Sequence, residues 1–182
     1  KAGQLELIPA DANDYVKQFC ASQNWCDVRA VIFLDPFATE VEWATIEAIA
    51  KTAAIDVWLL FPLMAVNRLL ASDPKKACRA ALDRIFGTPE WFEQFYRTRT
   101  VDDIFGQELR TVEKAGNFDS ISKFYSARLR SLFAGVAPKP RVFRNSRGSA
   151  LFQLFFAAGN PKGAPIGVNI AKHLLEDRKS VV

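Results

Sequence analysis

Two apolar runs, each cut off by a proline, constrain this chain more than anything else in it. Ala30–Leu34 reads AVIFL and ends in Asp35-Pro36-Phe37; Ile55–Phe61 reads IDVWLLF and ends in Pro62. Runs this short, rich in β-branched and aromatic residues and closed by a residue that cannot donate to a ladder, predict buried strands. Between them, residues 41–52 carry Trp43, Ile46 and Ala50 at three- and four-residue steps, which is one buried face of a helix. Upstream, Leu5–Pro9 reads as a further strand and Asp14–Gln23 as a helix whose apolar side holds Val16, Phe19 and Cys20. Three β units separated by helices predict a parallel, doubly wound α/β sheet with Ala30–Leu34 as a central strand covered on both faces.

Ligands of open α/β sheets bind at the carboxyl ends of the strands, and that is where Asp35 falls. Pro36 ends the strand and Phe37 offers a flat apolar face beside the acid. An acid, a proline turn and an aromatic can hold a planar amine or base. An Asp at this place can equally cap the helix expected to start near Glu40, and both readings stand at the level of sequence.

Farther on, residues 67–134 carry a helical pattern broken near Ser72–Pro74, Gly87–Pro89 and Gly116–Asn117. Residues 90–98 bear Trp91, Phe92, Phe95 and Tyr96 at helical spacing, a stripe that suits a core better than a binding surface. After Pro138–Pro140, Arg141–Asn145 and Leu151–Ala157 read as two strands of an antiparallel hairpin. Asn160 and Pro161 then suit the start of a last helix bearing Ile166, Ile170 and Leu174; the glycines around them lack the spacing of a phosphate loop. The resulting division is 1–66 for the βαβαβ part, 67–137 for a helical insertion, and 138–182 for the hairpin and helix that complete the same domain.

Charge is unevenly spread. Residues 1–72 hold five Lys/Arg against nine Asp/Glu, whereas residues 73–182 hold nineteen against eleven. No acid occurs between Ser120 and Leu175, yet Lys139, Arg141, Arg144 and Arg147 fall there with Phe143 and Phe152 among them. That stretch reads either as a phosphate-binding surface for nucleic acid or as a solvated basic face over core phenylalanines. Cys20, Cys26 and Cys78 are odd in number, lack ligand spacing and read as reduced thiols of a cytoplasmic protein, with no metal site expected even with His173. A single histidine and the lack of a Gly-x-Ser-x-Gly elbow argue against a Ser-His-Asp hydrolase. No apolar run approaches the ~20 residues that span a bilayer.

Parallel strands closed by a late antiparallel hairpin resemble the C-terminal part of the Rossmann-like class I S-adenosylmethionine-dependent methyltransferase fold. The resemblance implies that Asp11 in PADAN, with Asn13 beside it, contacts the cofactor adenine. It also implies that Asp35-Pro36-Phe37 matches the Asp/Asn-Pro-Pro-aromatic motif of enzymes that methylate exocyclic amines of bases, although the second proline is missing. A more extensive likeness lies in RAVIFLDPFATEVEWATIEAIAKTAAIDVWLLFP (29–62) with VNRLL (66–70), in LFAGVAPKPRVFRNSR (132–147) and in LFQLFFAAGNPKGA (151–164). These stretches resemble the bacterial and phage three-Cys-motif partner protein (TcmP) family, which implies a three-Cys-motif, radical-S-adenosylmethionine-like protein as partner. The chain opens on Lys1 and enters the expected strand at Leu5 almost at once, so the glycine-rich cofactor turn is expected upstream, and without it S-adenosylmethionine is expected to bind poorly and a strand edge to be open. Two functions follow as expectations. One is a methyltransferase-like enzyme in which Asp35, Pro36 and Phe37 receive a base and Lys139, Arg141, Arg144 and Arg147 bind phosphates. The other is a non-catalytic accessory protein that docks its partner through residues 67–134.

Overall fold

A computed structural model describes residues 5–102 and 108–176 of the chain. Helix α1 (Ala12–Ser22), strand β1 (Ala30–Leu34), helix α2 (Trp43–Lys51) and strand β2 (Ile55–Phe61) follow one another, and β1 and β2 pair in parallel with Leu34 opposite Leu59. Helices α3 (Leu63–Leu69), α4 (Arg79–Phe86) and α5 (Trp91–Phe95) lead to a hairpin of β3 (Tyr96–Asp102) and β4 (Glu108–Lys114). Helix α6 (Phe118–Leu132), strands β5 (Gly135–Val136), β6 (Arg141–Arg144) and β7 (Ala150–Ala158), and helix α7 (Ala164–Glu176) complete the described chain.

The main sheet is mixed. Strand β7 runs antiparallel to β2 on one edge, and β5 and β6 lie along its other edge, both antiparallel to it. Pro138 and Pro140 fall between β5 and β6, where a residue without an N–H cannot extend the ladder. The expected parallel sheet is narrower than its sequence pattern suggests: among the described residues β1 and β2 form the one parallel pair. The C-terminal antiparallel hairpin is present as β6–β7.

Burial alternates strictly along β2. Ile55, Val57, Leu59 and Phe61 are buried, and Asp56, Trp58 and Leu60 are half-covered. The first set faces the large core, where α2, α3, α4 and α6 contribute Trp43, Ile46, Ile49, Val66, Ile85, Phe86, Ile121 and Tyr125. Residues of the 67–137 segment thus share one core with the sheet. The other face carries a smaller cluster under α7, built on Phe156, Ala158, Ala171 and Leu175.

Three further expectations are corrected. Leu5–Pro9 forms no strand: among the described residues none pairs with it, and Leu5 and Leu7 are each 86% exposed. Strand β1 is not central among the described residues; one of its faces is open, with Val31 67% and Phe33 59% exposed, because α7 covers β7 and β5 rather than β1. Residues 96–102 and 108–114, read as helical, form a hairpin; Arg97-Thr98-Arg99-Thr100 alternates with the period of a strand and β-branched threonines favour it. The breaks expected at Gly87 and Asn117 are real: Gly87 closes α4 at φ 65°, and Asn117 forms a reciprocal capping box with Ser120 at the start of α6. The last helix starts at Ala164, after a turn in which the Asn160 carbonyl accepts from Gly163 and Ala164, and its Ile166, Ile170 and Leu174 lie more than half exposed. No described helix is long and apolar enough to cross a membrane.

Candidate functional site

The parallel pairing of β1 and β2 brings their carboxyl ends to one edge of the sheet, and Asp35-Pro36-Phe37 leaves β1 there beside Pro62. The turn half-buries its proline and exposes the residues on either side of it. Pro36 packs inward with Leu59, Phe61, Pro62, Ile85 and Tyr125 around a void of about 10 Å³, enough for one water at most. Asp35 and Phe37 are both exposed, Phe37 by 84%. Among the described residues Asp35 takes part in no hydrogen bond or ion pair. Helix α2 begins at Trp43 with Glu42 at its cap position, so Asp35 caps nothing and that alternative falls away.

Backbone strain marks the same turn. Ala38 sits at φ 55°, a left-handed conformation that costs a residue with a Cβ about 1–2 kcal/mol. Asn13 holds the far end of the loop. Its Nδ2 donates to the Glu40 carbonyl at 2.9 Å, and its Oδ1 accepts from the Glu42 amide at 3.0 Å and the Thr45 hydroxyl at 2.7 Å. Lys17, one helical turn on, adds Glu42 at 3.4 Å and Asp14 at 3.2 Å. The Asp14 bond, helped by Glu42 and opposed by desolvation, raises its pKa. The chain thus clamps the exit of the strained loop to α1.

The two residues expected to hold a cofactor are placed differently. Asp11 caps α1 through Oδ1, which accepts from the Asp14 amide at 3.0 Å, and its other carboxylate oxygen has no partner among the described residues. The Asn13 amide is spent on the loop clamp. Sequence reasoning reached this residue through its position and missed its structural task, because the partners lie 27 to 32 residues away.

The expected phosphate-binding cations do not share one surface role. Arg141 lines an apolar groove of about 410 Å³ with Phe33, Trp58, Phe143 and Leu174, its guanidinium 5.8 Å from the Phe143 ring centre. Arg144 follows an irregularity in the β6–β7 register and donates to the Gly148 carbonyl at 2.8 Å, clipping the hairpin turn. Arg147 and Lys139 are exposed, in the hairpin loop and in the loop before β6. Two more cations of the acid-free stretch serve the fold. Arg128 lies 4.4 Å over Trp43 and donates to the carbonyls of Phe86 and Gly87, and Lys123 pairs with Asp119 at 2.6 Å. Among the described residues no group of three or more His, Cys, Asp or Glu could hold a metal; Cys20 is buried, which pushes its thiol pKa up, and Cys26 and Cys78 are exposed.

Outside this region sequence reasoning missed an open cleft that gathers Lys75, Arg79 and Arg110 around Phe92. The signal in the sequence was the run Lys75-Lys76 followed by Arg79, which is unremarkable until the β3–β4 hairpin brings Arg110 beside it. Comparison with protein-family models, with curated proteins and with solved structures gave no significant match to this chain.

Proposed function

We propose that the chain is methyltransferase-like, of the three-Cys-motif partner kind, and that its Asp35-Pro36-Phe37 turn receives a planar amine, with a nucleic-acid base as the class that fits. The observation that carries this reading is the turn itself: a carboxylate with no partner among the described residues and, two positions on, an aromatic residue 84% exposed, both at the carboxyl edge of a parallel strand pair. The carboxylate accepts from an exocyclic N–H, and the ring stacks on the base, a contact worth about 1–3 kcal/mol per base. Pro36, seated inward, holds the two apart from the core. S-adenosylmethionine is the methyl donor that the sequence resemblance implies. The free oxygen of Asp11 suits its adenine amine, and Asn13, occupied by the loop, does not contribute.

The test is equilibrium binding of a single-stranded oligonucleotide by the wild type and by Phe37→Ala and Asp35→Asn, alongside binding of labelled S-adenosylmethionine. Phe37→Ala is expected to weaken binding about 5- to 150-fold. Unchanged affinity in both variants sinks the reading.

One observation favours the accessory role. The open face of β1 and α7 exposes Val31, Phe33, Ile166, Ile170 and Leu174, and apolar exposure of this kind marks a protein contact. Within the described part of residues 67–134, Val112 is the single large apolar side chain so exposed, so a docking surface belongs on β1 and α7 rather than on that segment.

A further inference from the structure

The cleft at Lys75, Arg79 and Arg110 has an unusual back wall. It is an open space of about 680 Å³ between the 3₁₀ turn Pro74–Lys76, the start of α4, α5 and strand β4. The Tyr96 and Phe92 rings stack at 4.9 Å and 22° from parallel. Arg79 continues the pile, its guanidinium 4.3 Å from the centre of Phe92 and 5.9 Å from that of Trp91. The rings beneath are pinned, since Tyr96 donates its hydroxyl to the Ala71 carbonyl at 2.7 Å and Trp91 donates Nε1 to Asp83 at 2.6 Å. An exposed guanidinium therefore rests on a rigid aromatic base.

Charge around this stack is unbalanced. Among the described residues none of Lys75, Arg79 and Arg110 forms an ion pair. Among the described residues the one carboxylate lining the cleft is Asp73, which accepts from the Lys75 amide at 3.0 Å and holds the turn that presents Lys75. Three cations that form no ion pair among the described residues call for an anion, and a guanidinium plane laid on an aromatic is a platform on which a base stacks. The volume lies within the range of small-molecule sites.

We propose that this cleft binds a nucleotide, its phosphate between Lys75 and Arg110 and its base on the Arg79–Phe92–Tyr96 stack, either free or as one residue of a single strand. The site shares no residue with the Asp35–Phe37 turn and stands on its own geometry, so the two readings fail separately.

The experiment is anisotropy of a labelled oligothymidylate against salt, with the intact chain. Lys75→Gln/Arg110→Gln removes the two exposed cations that hold the one phosphate and is expected to make the slope of log K against log salt shallower by about 0.7. Lys51→Gln/Lys172→Gln removes the same charge from α2 and α7 and is expected to leave the slope as in the wild type. Arg79→Lys keeps the charge and loses the flat fork, and is expected to weaken binding about fivefold or more. Adenosine monophosphate displacing the strand places a free nucleotide in the cleft, and failure to displace it assigns the cleft to a strand; either upholds the proposal. It is overturned if the wild type does not bind, if the charge-matched control lowers the slope as much, if Arg79→Lys binds as the wild type does, or if inorganic phosphate displaces the strand as well as the nucleotide.

Discussion

A pair of glycines with the same backbone conformation and opposite surroundings separates two costs that are usually mixed. Gly87 (φ 65°) and Gly148 (φ 78°) both lie in the left-handed region. A Cβ added at Gly148 meets nothing within 4 Å, so Gly148→Ala carries the conformational cost alone, about 1–2 kcal/mol. A Cβ added at Gly87 falls 1.9 Å from Cδ1 and 2.3 Å from Cγ of Trp43. That ring has no room to retreat. It is 2% exposed, its Nε1 donates to Glu47 at 2.9 Å, Tyr125 meets it edge-on at 5.8 Å, and Arg128 lies over it at 4.4 Å. Overpacking of this kind adds about 1–3 kcal/mol, which brings Gly87→Ala to about 2–5 kcal/mol. For a chain of 182 residues the melting temperature is expected to fall about 2–8 °C for Gly148→Ala and about 4–20 °C for Gly87→Ala. Urea melts followed by circular dichroism measure the same difference as a change in midpoint at constant slope. Equal losses in the two variants would refute the argument, because Trp43 would then not be seated against residue 87.

Lys114 yields a pH-linked prediction. Its ammonium donates to the Asn67 carbonyl at 2.8 Å, to the Asn67 side-chain oxygen at 2.9 Å and to the Leu70 carbonyl, closing the end of α3 from strand β4. Lys114→Met is expected to cost about 1–3 kcal/mol at neutral pH. Burial pushes the lysine below its ordinary 10.5, so between the lowered folded value and 10.5 the unfolded chain binds more protons and stability rises with pH. The wild type should therefore gain on Lys114→Met as pH climbs toward 10.5, and a gap that shrinks in urea melts over that range would contradict the assignment. Thiol labelling of the native chain should modify Cys26 and Cys78 rapidly and Cys20 only on unfolding, since burial both shields Cys20 and raises its pKa; rapid labelling of all three would contradict the packing of α1.

How much of the site was legible depended on the distance over which each residue acts. Asp35-Pro36-Phe37 could be placed from sequence because a proline after an apolar run ends a strand by local chemistry alone. Whether Asp35 capped a helix could not, since that turned on the loop running to Glu42 and on the clamp from Asn13. The hairpin of β3 and β4 was obscured because Trp91, Phe92 and Phe95 begin a helical stripe that stops after five residues. The alternation from Arg97 onward was present but outweighed by those aromatics.

The sequence alone determined the ends of β1 and β2, the breaks at Gly87 and Asn117 and the β6–β7 hairpin. Each follows from bond geometry and hydrogen-bonding capacity within a few residues. Tertiary structure decided which apolar face is covered and where the cations go. The run AVIFL states a demand for burial on both faces, yet α7 lies over β7 and leaves Val31 and Phe33 open. Arg128, Lys114 and Arg144 find carbonyl acceptors 42, 47 and 4 residues away only once the chain has folded. Arg79 and Arg110 become neighbours only because a hairpin carries one strand back beside α5. Periodicity encodes what a residue needs, and only the packed chain supplies the partner that meets it.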